Sequence, residues 1–122
     1  MLISLDSPNG QWQIKSYSPG KIQINDNTYI NNIFLIPQEL ISPWPITDIA
    51  NIKIEDIPKL HPIKPDIILL GTGSSLIIPP AQFIQWCSEH HIGLEYINTK
   101  AACRTYNALA AEGRKVFAGF IV

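Results

Sequence analysis

The residues best placed for chemistry begin at Leu69, in the stretch LLGTGSSLIIPP, where an apolar run ends in two glycines one residue apart. Glycine lets a backbone come close to a phosphate, and a dinucleotide loop needs G-x-G-x-x-G at the mouth of a helix. Here Leu76 stands where the third glycine belongs, and Ile77, Ile78, Pro79 and Pro80 separate the glycines from any helix start. Glu95 lies near the spacing of a ribose-binding acid, but the phosphate half of the pattern fails, and no GxxxxGK[ST] run occurs. The loop reads as a backbone turn that needs positive φ.

A second candidate is NTKAACRTYN, residues 98–107. The first turn of a helix normally holds acids, because that end of the helix dipole is positive. Lys100 and Arg104 sit there instead, four residues apart, with Asn107 beside them. Cations so placed cost a few tenths of a kcal/mol each, roughly, which an anion from a ligand, a partner or this chain would offset. Glu112 and Asp66 are the internal acids that Arg104 would pair with. Cys103 next to Arg104 raises the idea of a thiolate nucleophile. It flanks the core stripe, however, and no histidine is spaced to act as its base, so a buried inert thiol is the expected state. Adjacent His90 and His91 point to different sides of a helix, and His61 is isolated. No metal site is expected, and the two acids of IEDI do not form an acid–base pair.

The elements that must position these residues follow from periodicity. Trp12, Ile14, Ile22 and Ile24 alternate on either side of Pro19-Gly20, which predicts a hairpin. A further strand is expected from Tyr29 to Ile36, ended by Pro37. Six prolines between 37 and 65 mark a connecting region, with one helical turn near 54–60 and Trp44 as a packed anchor. Thereafter the period switches. Strands are predicted at 66–70, 94–98 and 115–121, and helices at about 80–91 and 100–112, with Gly93 and Gly113 as stops. Asn98 or Thr99 is expected to cap the second helix, which turns Ala102, Tyr106, Leu109 and Ala110 inward. Parallel strands joined by helical crossovers make this an α/β, mixed α+β, single domain over 1–122: an N-terminal β-hairpin part, then β-α-β-α-β with two helices packed on a mixed sheet.

Composition narrows the function. The chain has 122 residues, 46% of them hydrophobic and 16% charged, which suits one folded domain with a real core. A formal net charge of −1 gives no general attraction to nucleic acid or to anionic membranes, although a local basic patch is compatible with it. Two cysteines are too few for a disulfide framework. The first ten residues lack the basic and apolar regions of a secretory signal, and no run approaches the roughly 20 apolar residues that span a bilayer. A cytoplasmic location without membrane insertion is the expectation.

Together, PDIILLGTG, the following PP, LEYINTKAACRTYNALAAEGRKV and the upstream NNIFLIP with its tryptophan resemble a small family of unknown function, the Mth938-like domains. That family includes mitochondrial complex I assembly factor three and the adipogenesis-associated domain-containing protein. The resemblance covers residues 20–120 and is densest at AACRTYNALAAEGR. It implies a compact fold of mixed sheets and two helices with a hammerhead-like N-terminal part. It further implies binding or assembly rather than catalysis, with no cofactor.

The expected binding site joins Gly71, Gly73 and Ser74 to Lys100, Arg104 and Asn107, because loops leaving the carboxyl ends of neighbouring parallel strands share one edge. Backbone amides and a guanidinium would there take a carboxylate or phosphate. The expected function is a non-catalytic interaction or assembly module with an unidentified protein partner. Its working surface is the Lys100/Arg104/Asn107 face with the adjoining 71–78 loop, where Leu76, Ile77 and Ile78 supply an apolar centre. The alternative is a small anionic ligand, or an enzyme using Cys103, in the cleft between 71–75 and 98–104.

Overall fold

The computed structural model describes residues 12–122, so the reading of the first ten residues as free of a secretory signal lies outside the described residues. Strands β1 (Ile14–Ser18) and β2 (Lys21–Ile24) form the expected hairpin, with Gly20 at φ 93° in its turn. β3 (Asn27–Tyr29) adds antiparallel to β2 and completes a three-stranded sheet.

The strand expected over Tyr29–Ile36 is in fact two strands in two sheets. β3 ends at Tyr29, and β4 (Ile33–Ile36) belongs to the larger sheet. The break has a polar cause: the Asn32 carboxamide donates to Ile46 O at 2.7 Å and accepts from Val122 N at 2.7 Å. Those bonds tie the chain to two other segments and stop it from running straight. Beyond Pro37 the chain reverses through Gln38, at φ 65°, into the short β5 (Glu39–Ile41), which the proline-rich composition hid. Two 3₁₀ turns, Ile49–Asn51 and Ile54–Asp56, punctuate the connection, and Trp44 is buried as expected.

The second half alternates as predicted: β6 (Ile67–Gly71), α1 (Ala81–Glu89), β7 (Gly93–Ile97), α2 (Thr99–Ala111) and β8 (Val116–Phe120). The larger sheet runs β5-β4-β8-β6-β7, with β6 parallel to both β7 and β8 and β4 antiparallel to β8. Both of its faces are covered, so each central strand splits its apolar residues between two cores. Ile33, Leu35, Ile67, Leu69, Val116, Ala118 and Phe120 pack with α2 and the three-stranded sheet. Phe34, Ile36, Ile68, Leu70 and Phe117 pack with α1 and the proline-rich connection. The continuous apolar runs IFLI and IILL are the sequence image of this two-sided burial.

The helix ends are local events. Asn98 caps α2 by accepting from Ala101 N at 2.9 Å. α2 stops in a Schellman turn, with Gly113 at φ 80° and Arg114 N bonded to Leu109 O. α1 stops in the same way, but its left-handed residue is His91 at φ 56°, not the expected Gly93, and Ile92 N bonds to Cys87 O. Gly93 begins β7 instead.

Candidate functional site

β6 delivers its chain to the 72–80 loop at the same edge where β7 delivers its chain to α2, and Thr99 joins the two. The Thr99 hydroxyl is fully buried, donates to Ile121 O at 2.7 Å and accepts from Gly73 N at 2.8 Å. Thr99 N in turn donates to Gly73 O at 2.9 Å. The glycine turn and the helix start are therefore in direct contact. Gly73 has φ 99°, the conformation that favours glycine. Gly71 is buried at the end of β6, and a Cβ there would sit 2.9 Å from Phe120, 3.1 Å from Thr99 and 3.3 Å from Ala102. Its missing side chain lets α2 lie close on the sheet. Thr72 holds the rest of the loop by donating to Ser75 O at 2.6 Å and accepting from Ile77 N at 3.1 Å. Ser74 is exposed, Ile77 is half-buried, and Leu76 and Ile78 are exposed.

Lys100, Arg104 and Asn107 line a groove with Lys15, Tyr17 and Cys103, between α2 and β1 rather than between α2 and the glycine loop. Its volume is about 180 Å³. Asn107 forms the groove floor in a specific way. Its Nδ2 donates to Ile14 O and its Oδ1 accepts from Ile14 N, each at 2.9 Å, so the carboxamide stands in for the neighbouring strand that β1 lacks. Lys100 and Arg104 are exposed and have no ion-pair partner among the described residues. Asp66 accepts from Lys115 N instead of reaching Arg104.

Lys15, Ser16 and Tyr17 are groove residues that the sequence reading missed. The outward place of Lys15 on β1 follows from the strand alternation, but which helix it faces is set by the long-range Asn107–Ile14 contact.

Cys103 borders the groove but is buried, and burial pushes its thiol up from 9.0 to about 12, against a smaller lowering by Arg104. Cys87 is pushed up to about 11 by burial. Both are free thiols that stay protonated at neutral pH. His90 stacks on Trp86 with ring centroids 3.8 Å apart, and its Nδ1 lies 2.9 Å from Trp86 O. Among the described residues, no group of three or more His, Cys, Asp or Glu could hold a metal ion, and no helix is long and apolar enough to cross a membrane.

Known proteins share this architecture. The chain is 29% identical over 103 residues, 84% of each chain, to the 13 kDa major membrane protein of Francisella tularensis subsp. holarctica. It is 28% identical over 110 residues to zebrafish NADH dehydrogenase [ubiquinone] 1 alpha subcomplex assembly factor 3, covering 88% of this chain and 63% of that one. Among solved structures, a Bordetella parapertussis protein superposes with a TM-score of 0.81 at 26% identity, over 93% of this chain and 98% of that one. A Bordetella pertussis protein named a Mth938-like domain superposes at 0.76 with 22% identity, over 98% and 91% of the two chains, a likeness of fold alone. Residues 14–121 match the family described as "Protein of unknown function (DUF498/DUF598)", and the chain belongs to that family.

Proposed function

We propose that this chain is a non-catalytic interaction module of the cytoplasm, whose working surface is the groove between α2 and β1. One observation carries the reading. Lys100 stands in the first turn of α2, where the dipole disfavours a cation, Arg104 stands one turn on beside it, neither has a carboxylate partner among the described residues, and Lys15 joins them across the groove. A partner that brings carboxylates into the groove relieves that repulsion, and the Arg104 guanidinium offers it a two-pronged contact. The relatives named as assembly factor 3 support assembly as the task, so the partner would be a protein of a respiratory NADH dehydrogenase under construction. A free carboxylate or phosphate of small size is the second reading, favoured by the groove's limited volume of about 180 Å³.

Affinity purification from the native cell, wild type against Arg104→Glu, tests the proposal. The side chain is exposed, so the melting temperature should hold while acidic partners are lost. Identical partner lists from two equally stable proteins would refute the surface. A retained small anion without any protein would establish the second reading.

A further inference from the structure

We infer that the end of the molecule at the carboxyl termini of β6, β7 and β8 seats on an anionic membrane surface, without spanning it. The large hydrophobic side chains most exposed among the described residues are Ile30, Leu76 and Ile78, at 75%, 58% and 61%. They come from segments far apart in sequence, yet hydrogen bonds tie those segments to the same end of the larger sheet. Val122 N donates to Asn32 Oδ1 at 2.7 Å, two residues from Ile30. Thr99 Oγ1 bridges Ile121 O and Gly73 N, at the base of the loop that carries Leu76 and Ile78. Gly20 N donates to Val122 O at 2.9 Å and brings the β1–β2 turn, with Lys21, to the same end. Lys100 follows Thr99 directly.

The charge distribution matches. Residues 12–25, 27–38, 67–88 and 96–111, which supply the strands, loops and helix start meeting at this end, contain no Asp or Glu. Asp66, Glu89 and Glu112 stand at the opposite ends of β6, α1 and α2. The nearest carboxylates along the chain are Asp26, in the β2–β3 turn at the other end of the small sheet from Lys21, and Glu95, which stands opposite Leu69 in the middle of β7; Asp48 is turned onto Ala50 N and Asn51 Nδ2. A chain of net charge −1 thus presents one carboxylate-poor end with lysines around apolar tips.

Lipid fits this arrangement better than a protein does. The apolar side chains project from two loops instead of lining one concave pocket, and Lys21 and Lys100 have no ion-pair partner among the described residues. Apolar groups that enter the headgroup boundary, with lysines beside anionic headgroups, are the two additive terms of peripheral membrane binding. Lys100 also lines the α2–β1 groove, so the apolar tips Ile30, Leu76 and Ile78, which do not line it, are what separate this surface from the groove.

Co-sedimentation of the full chain with phosphatidylglycerol-containing phosphatidylcholine vesicles, against pure phosphatidylcholine vesicles, tests it. The wild type should pellet with the anionic vesicles and be released by salt. Lys21→Gln with Lys100→Gln should weaken partitioning by about fivefold per cation. Ile30→Ser with Leu76→Ser and Ile78→Ser should abolish it with an unchanged melting temperature, while retaining the partners that Arg104→Glu loses. A wild type that stays in the supernatant overturns the inference, whatever happens at the groove. So does a serine variant that pellets like the wild type, or one that loses protein partners while neither protein binds vesicles.

Discussion

Replacing Gly119 by alanine would place a methyl carbon 2.5 Å from the Trp44 ring and 2.9 Å from Phe34, and both neighbours are buried. Trp44 cannot swing away cheaply, because its Nε1 donates to Asp56 O at 3.0 Å and its ring packs 5.1 Å from that of Phe34. Overpacking of this kind costs about 1–3 kcal/mol, so Gly119→Ala should lower the unfolding free energy by that amount and move the urea midpoint down; an unchanged midpoint would show that the core yields. The buried thiols make a second residue-scale prediction, through pH. Cys103 is neutral in the folded protein up to about pH 12 but ionises near 9.0 once unfolded, and Cys87 behaves alike up to about 11. The unfolded state therefore binds fewer protons between those values, and linkage requires stability to be full below pH 9 and to fall as pH rises through this window. Urea titrations at pH 8 and pH 10 should show the loss, and Cys103→Ala should remove about half of it, with the Cys87 share remaining. The same burial predicts that a thiol reagent at neutral pH labels Cys103 on unfolding and not before. Rapid labelling of the native protein would restore the nucleophile reading.

Among the elements, the two helices end in the same Schellman geometry with different residues in the left-handed position, Gly113 after α2 and His91 after α1. A non-glycine residue in that region is strained by about 1–2 kcal/mol, and glycine recovers part of this while adding unfolded-state entropy. His91→Gly should therefore raise stability by roughly 0.5–1 kcal/mol in denaturant titration. His91 is exposed, so no buried contact offsets the gain. This comparison also shows what was legible in the sequence. The α1 stop lay within two residues of where it was sought, but nothing in the pair His90-His91 announces positive φ, whereas Gly113 does. Elements with one strong period, namely the β1–β2 hairpin, β6, β8 and both helices, could be read from their apolar spacing. Asn32 hid the break between β3 and β4, because an apolar run on either side of two asparagines looks continuous until the distant acceptors and donors of Asn32 are known. Lys100 and Arg104 were legible as cations against a dipole. Their facing partner was not, because β1 and α2 are 93 residues apart at the Ile14–Asn107 contact.

The whole molecule divides into a tightly sandwiched sheet and a smaller sheet held to it by few polar clamps, and this sets where it should open first. β8 lies between β4 and β6, all of its residues are buried, and its exposure requires that both cores separate. The β1–β2–β3 sheet packs on α2 through Ile14, Ile22 and Ile24, and its edge strand is clamped by the Asn107 carboxamide at Ile14. Trp12 Nε1 adds a bond to Ile36 O at 3.1 Å, and Tyr17 OH adds one to Val122 O at 3.2 Å. Regions with fewer buried contacts open sub-globally at lower free energy than the core. Amide hydrogen exchange should therefore rank β6 and β8 as the slowest elements and β3, whose residues are all at least partly exposed, among the fastest. Asn107→Ala removes both partners of Ile14 and should cost about 1–3 kcal/mol of local stability, with faster exchange across β1 and β2 and a much smaller change in β8. Asn107→Asp keeps the acceptor for Ile14 N but loses the donor to Ile14 O, so its effect should follow the same pattern. If exchange in β8 accelerates as much as in β1, the two sheets unfold as one unit and Asn107 is a global clamp; if neither changes, the groove floor is set by apolar packing alone.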